Sequence, residues 1–343
     1  MPRPRESRSI YDRFERHAER TFAEAASRYL AEFQGKDKRR VAAAVEVVVP
    51  YIGSLRLIDV DDEAMGQFKE DRRLGRPPFV FEDGRPRPAM VGTINKELTQ
   101  VTTILNKACE VFRWIPSAPK IQHVVGARKQ AYPLTWEEQD ALFRCLPSGW
   151  DAGAALFAIN TGVRKEELFG LKWSDRRYVP ELDIKNEDGT IKERMYVFVI
   201  TETKNGHPRA IICNSVARRA VEHSAKWLLK KQVTSEFVFP SHQKGNLGGR
   251  CTGSAKIWYD AWKLSGLPSG PLVKKGIHNC RHTFAHRLRA AGVPQEDRNA
   301  LLGHANSNLA EHYATPSLER QLAHAEKVTA RKETTVLRSV GQG

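Results

Sequence analysis

Between Pro116 and Pro133 the chain loses its helical hydrophobic period, and the stretches on either side differ in kind. Pro116-Ser117-Ala118-Pro119 and the basic, glycine-containing run that follows cannot extend a helix. Proline lacks the amide donor and its ring clashes with the preceding turn. Residues 116–132 therefore read as a linker between two separately folded bodies, which suits a length of 343 residues.

The first body, residues 16–115, reads as all-helical, after a flexible basic N-terminus over 1–15. From Thr21 to Phe33 the apolar residues Phe22, Ala26, Tyr29, Leu30 and Phe33 fall on one helical stripe. Thr21 and Glu24 have the spacing of a capping box at its start. Asp61 to Leu74 and Thr93 to Trp114 read as further helices. The second of these carries Ile94, Leu98, Val101, Leu105, Ala108 and Phe112 at helical spacing. The prolines and Gly84 within 75–92 mark a loop. The second body, residues 133–343, opens with a helix capped by Thr135, followed by helices over about 151–160 and 163–172. Met195 to Thr201 and Arg209 to Cys213 are β-branched or aromatic runs around Lys204-Asn205-Gly206, a hairpin signal. Helices resume over about 214–231, 252–265, 279–291, 294–302 and 317–332. The fold class is mainly α with a small antiparallel β-sheet.

Lysine and arginine total 55 against 40 acidic residues, a formal net charge of +15. Such a surface favours polyanions through counterion release. The five cysteines, at 109, 145, 213, 251 and 280, form no C-x-x-C pair. They read as reduced thiols, which argues against a disulfide framework or a cysteine zinc site. No secretory signal and no membrane-length apolar run is apparent, so a cytoplasmic protein is expected.

Four short stretches hold unusual polar residues. Thr161-Gly162-Val163-Arg164 sets an arginine just past a glycine turn, with Glu167 three residues on. Taken alone that is a surface ion pair on a helix. His278, Arg281 and His282 share one helical face at i, i+3 and i+4. His304 follows Leu302-Gly303, where a glycine can end a helix. Tyr313 follows shortly after. Its ordinary fate would be a half-buried aromatic, as Lys204 would ordinarily be a solvated turn lysine. Together they form an inventory for phosphoryl transfer without metal, cofactor or ATP. Two arginines and an imidazole supply donors for the charge on the non-bridging oxygens. A phenol with a pKa of about 10 can be a nucleophile beside a proton acceptor and cations. A lysine can protonate the leaving oxygen.

In the order Arg164, His278-x-x-Arg281-His282, Leu302-Gly303-His304 and Tyr313, the set resembles the tyrosine recombinase, or phage integrase, family over about 133–327. Over 20–115 the helical pattern is merely similar to that family's core-binding domain. The resemblance implies a helical core-binding domain that closes on DNA and a mixed α/β catalytic domain. It also implies a site-specific recombinase working through a 3′-phosphotyrosyl link to Tyr313. Arg164, Arg281 and His304 would then hold the phosphoryl oxygens, Lys204 would be the general acid, and His278 an acid/base group. Glu167 would orient Arg164 or His278. His282 would be a family histidine or a packed structural one. Lys185, Lys192 or Arg209 could stand in for Lys204. The implied partner is double-stranded DNA at specific sites, bound by a homotetramer that could be monomeric in solution, on the nucleoid. Lys120, Arg128 and Lys129 are candidate phosphate contacts. The helix with Leu318, Leu322 and Ala325 on one stripe would pack on a neighbouring protomer or fold back on its own domain. A type IB topoisomerase and a non-catalytic DNA-binding regulator are the rivals. A zinc enzyme built on His278, His282, His286 and His304 lacks a carboxylate to complete its set.

Overall fold

The computed structural model describes residues 17, 19–127, 129–147, 150–201, 208–252, 254–303 and 317–331. The chain divides into two compact units between Arg128 and Lys129.

The first unit contains α1 (Phe22–Glu32), α2 (Lys38–Glu46), α3 (Val49–Ile52), α4 (Gly66–Leu74) and α5 (Val91–Glu110). The capping box at the head of α1 forms. The Thr21 amide donates to the Glu24 carboxylate at 2.8 Å, and the Glu24 amide to the Thr21 hydroxyl at 3.3 Å. Phe22, Ala26 and Tyr29 are buried, and the full α5 stripe from Ile94 to Phe112 lies in the same core. Each large apolar side chain so buried contributes about 1.5–3 kcal/mol.

Two boundaries differ from the sequence reading. The helix expected from Asp61 begins at Gly66; before it the chain makes a tighter turn, in which the Gly66 amide donates to the Glu63 carbonyl at 2.8 Å. α5 ends at Glu110, short of Trp114. Arg113 adopts φ +54°, and Trp114 and Ile115 are buried beyond the helix end. α2 went unread because only Val41 and Val45 of its nine residues are buried, too few for a visible stripe.

Much of the stretch beyond Pro116 belongs to this unit. Ile121 and Val124 pack on its core. The Asn95 carboxamide donates to the Val124 carbonyl at 3.0 Å and accepts its amide at 2.8 Å. The Gln122 amide donates to Asp62 at 2.8 Å.

The second unit begins on a short parallel bridge, in which Gln130 donates to Leu272 at 2.7 Å and accepts from Lys274 at 3.0 Å. Then come α6 (Trp136–Arg144), α7 (Trp150–Thr161) and α8 (Lys165–Gly170). β1 (Arg176–Tyr178), β4 (Tyr196–Ile200) and β5 (Arg209–Ile212) form an antiparallel sheet in the order β1-β4-β5. β2 (Ile184–Lys185) and β3 (Ile191–Glu193) form a separate exposed pair. The expected hairpin is β4–β5, with Val197 opposite Ile212. Its turn, including Lys204, lies outside the described residues. β1, three residues with two arginines, shows no strand pattern in sequence.

The helices α9 (Ser215–Lys231), α10 (Ser254–Leu264), α11 (His278–Ala290), α12 (Gln295–Leu302) and α13 (Leu318–Glu326) complete the unit. α7 packs against α9 and α11. Phe157, Phe169, Phe198, Phe239 and Trp262 are fully buried in the main core. α13 lies back on its own unit. Leu318, Leu322 and Ala325 join Phe284, Leu288 and Leu301 in one apolar cluster. Cys213, Cys251 and Cys280 are buried and Cys109 and Cys145 half-buried, none of them in a disulfide. Among the described residues no helix is long and apolar enough to cross a membrane.

Candidate active site

The site is assembled around the C-terminal end of α12, where three separate pieces of chain bring guanidinium groups. α11 supplies the first. Its Asn279 and Thr283 face the strand-like entry to the unit. Tyr132 donates its amide to Asn279 at 3.3 Å, and Leu134 donates to the Thr283 hydroxyl at 3.0 Å. That fixes the rotation of the helix and leaves Arg281 only 5% exposed inside the unit. Its two terminal nitrogens donate to the carbonyls of Gly162 and Leu302, each at 2.6 Å.

The turn between α7 and α8 supplies the second. Gly162 sits at φ +65°, and a Cβ there would come within 2.5 Å of the Phe284 ring, so both backbone and packing demand glycine. The turn delivers Arg164 to the N-cap of α8. Glu167, three residues on, accepts the Arg164 amide and the Arg164 guanidinium, both at 2.8 Å. The other end of that guanidinium donates to the Gly303 carbonyl at 3.1 Å. Arg281 and Arg164 thus hold the carbonyls of consecutive residues, Leu302 and Gly303. Gly303 is the left-handed residue that terminates α12, at φ +60°.

Arg209, the first residue of β5, is the third. Its Nη2 lies 3.4 Å from Glu167 Oε2, and its side chain is 10% exposed. The guanidinium rests on Gly303. A Cβ at that position would stand 2.1 Å from Nη1.

One carboxylate therefore serves three cations. Burial by itself would raise the pKa of Glu167, but Arg209 and Arg164 hold it below its ordinary value. Burial pushes the Arg281 guanidinium down to about 10, with Arg164 and Arg209 adding to the fall and Glu167 opposing it. Burial also lowers Arg209, against the pull of Glu167 and with the push of Arg164. Arg281 nevertheless remains charged at neutral pH. A pocket with this excess of fixed donors can hold an anion and stabilise charge that grows on it.

His278 and His282 lie next to this cluster on α11, with ring centroids 4.9 Å apart and nearly perpendicular. Burial, then Arg281, Lys274 and Arg164, lower the pKa of His278. Burial first, with His278, Lys274 and Arg281, pushes His282 down to about 4. Burial thus favours the neutral form of both rings, in which each has one unprotonated nitrogen able to accept a proton. Nε2 of His282 is buried without a hydrogen-bond partner.

Of the residues singled out in sequence, the structure brings together Arg164, Glu167, His278, Arg281 and His282. Lys185 and Lys192 stand on the exposed β2–β3 pair. Lys120 and Lys129 are exposed. Lys204, His304, Tyr313 and Arg128 lie outside the described residues. Arg209, considered in sequence only as a stand-in for Lys204, is a full member of the cluster. The available signal was a charged residue opening the otherwise apolar strand Ala210-Ile211-Ile212.

The model of the phage integrase family matches residues 134–320, more than half of the chain and all of the cluster. The chain belongs to the phage integrase family. This family member is 23% identical over 274 residues to an integrase of Salmonella phage P22, covering 77% of this chain and 64% of that protein. It is 27% identical over 187 residues to a XerC-like tyrosine recombinase of Caldanaerobacter subterraneus subsp. tengcongensis, covering 50% of this chain and 46% of that one. The match thus spans less than two thirds of either relative. Among solved structures, a lambda integrase dimer bound to a COC′ core site superposes with a TM-score of 0.61 at 14% identity, covering 96% of this chain and 83% of that one. The Tn1549 transposon integrase in complex with transposon right-end DNA gives 0.58 at 18% identity, covering 90% and 100%. A lambda integrase tetramer bound to a Holliday junction gives 0.59 at 15% identity, covering 88% and 80%. At these identities the likeness is one of fold.

Proposed function

We propose that this integrase-family protein is a site-specific DNA recombinase that cuts and rejoins duplex DNA through a 3′-phosphotyrosyl link to Tyr313. The observation that carries the reading is the grip of Arg281 and Arg164 on the Leu302 and Gly303 carbonyls. His304 is the next residue in the chain, and Tyr313 follows nine positions later. In the proposed step the Tyr313 oxygen bonds to phosphorus and the bond to the 5′-oxygen breaks. The phenolic proton passes to a base, for which His278, neutral at pH 7, is suited. Lys204 protonates the departing 5′-oxygen. Arg164, Arg281 and His304 neutralise charge on the non-bridging oxygens, and Glu167 fixes Arg164. His282 supports the face of α11 that carries Arg281. The phosphodiester energy is kept in the covalent link, so strand rejoining needs no ATP.

The helical first unit would act as the core-binding half of a clamp on duplex DNA, with Lys120, Arg128 and Lys129 contacting phosphates. A homotetramer on two duplexes is the proposed assembly, since lambda integrase is known as a tetramer on a Holliday junction. The net charge of +15 favours residence on nucleoid DNA in the cytoplasm.

The test is covalent trapping. The protein is incubated, with EDTA present, with a randomised library of nicked suicide duplexes, and SDS-stable adducts are recovered. Wild-type protein should form an adduct and Tyr313→Phe none. An adduct of equal yield from Tyr313→Phe, or none from wild type, overturns the reading. Exchange of strands between two marked copies of the trapped duplex then distinguishes recombination from simple relaxation.

A further inference from the structure

The three guanidinium groups of the site are not equivalent. Arg281 has two carbonyl acceptors, and Arg164 has a carboxylate oxygen and a carbonyl. Arg209 has none: Nε, Nη1 and Nη2 are all buried without a hydrogen-bond acceptor. Among the described residues it is the arginine left in that condition at all three nitrogens. Its ion-pair partner among the described residues, Glu167, lies at 3.4 Å and is already engaged twice by Arg164. A buried cation that uses none of its donors is costly. Arg287 of α11 differs in degree: it stacks over Trp136 at 3.5 Å and donates through Nη1 to Gln139 at 2.8 Å, and Nη2 alone of its nitrogens is buried without an acceptor.

We propose that Arg209 is a third phosphate-binding arginine of this site, a catalytic residue that donates to a non-bridging oxygen of the scissile phosphodiester alongside Arg164 and Arg281. Three features of its placement support that role over one in folding. The strand β5 fixes its backbone, so the guanidinium is pre-oriented. Gly303 lets it reach the end of α12, where a Cβ would collide with Nη1 and Cδ at 2.1 and 2.5 Å. Arg164, Arg209 and Arg281 are close enough for their charges to interact, so all three address one small volume. Among the described residues Glu167 is the carboxylate paired in the cluster, so the three cations there leave a net charge of about +2, which one phosphodiester and the charge that develops on it would offset. A guanidinium is a poor proton donor, so the role is to bind charge and not to protonate the 5′-oxygen.

The inference rests on the recombinase reading, and the test keeps the two apart. The duplex trapped by wild-type protein is made in three forms: native, with a neutral methylphosphonate at the scissile position, and with a 5′-bridging sulfur. On the native duplex Arg209→Ala should cleave about 10²–10³-fold more slowly than wild type. On the methylphosphonate, which lacks the charge that Arg209 would balance, the two proteins should differ by less than about tenfold, a change of about 1.4 kcal/mol or less. The sulfur substrate, whose leaving group needs no proton, should give no such rescue. Rescue by sulfur alone would make Arg209 the general acid and overturn the proposal. A structural role is tested with Arg209→Met, which should melt no lower than wild type. A lower melting temperature, with loss of cleavage on all three substrates, would also overturn it. Absence of cleavage by wild-type protein would instead sink the recombinase reading itself.

Discussion

Arg72 in the first unit and Arg164, Arg209 and Arg281 in the second are all largely withdrawn from solvent, but their surroundings differ. Arg72 meets Glu97 one to one. Nε and Nη2 reach both carboxylate oxygens at 2.9–3.2 Å, and the guanidinium also lies 4.6 Å from the centre of the Phe79 ring. Charge is balanced and the donors are used, as expected of a pair that locks α4 to α5. In the second unit Glu167 is ion-paired with Arg164 and Arg209, while the Arg281 hydrogen bonds among the described residues go to carbonyls. Carbonyls satisfy hydrogen bonds without cancelling charge. The difference separates a neutralised pair that joins two helices from a cluster left with an excess of positive charge, which is able to hold an anion.

The comparison breaks most visibly on arginine removal. Arg281→Ala should slow cleavage of a trapped duplex by about 10³-fold, as expected for loss of a transition-state donor. Arg72→Ala should instead lower unfolding free energy by about 3–5 kcal/mol, because Glu97 is left buried and unpaired. Single-turnover cleavage and denaturant titration of both variants check this. Equal stability losses with equal cleavage losses would erase the distinction. Next in size is Gly303→Ala. The new methyl group cannot coexist with Arg209 in place, and a displacement of about 1 Å in a catalytic group can cost about 10²-fold in rate. Cleavage at wild-type rate would show that the Arg209 position is immaterial.

The smallest effect concerns pH. His282 has a folded pKa of about 4, below the ordinary unfolded value of about 6.5. The unfolded chain therefore binds more protons between those values. The contribution of neutral His282 is complete above about pH 6.5 and is lost as pH falls towards 4. Melting temperature should fall over that window, and His282→Gln should flatten the fall. An unchanged pH profile would place His282 in a more open setting than its burial suggests.

Much of the site could be read from local spacing. Arg164 and Glu167 are three residues apart at a helix start, and His278, Arg281 and His282 share a helical face. Both relations are set by the backbone over one turn. The capping box at Thr21 and the cap at Thr135 were legible for the same reason. Arg209 was legible only as a stand-in for Lys204, because nothing near it in sequence explains its place in the cluster. Its partners, Glu167 and Gly303, are 42 and 94 positions away in the chain. Residues 116–127 looked like a linker because prolines and charge are what a pattern can show. The hydrogen bonds between Asn95 and Val124 that bind the stretch to the first unit leave no such trace.

The sequence by itself determined the two helical textures, the β4–β5 hairpin and the order of the polar motifs, since propensity, capping and periodicity act between near neighbours. Only the tertiary structure decided which cations are balanced and which are left over. Charge compensation depends on distance and burial, and those exist only once α8, β5, α11 and the end of α12 have been packed together.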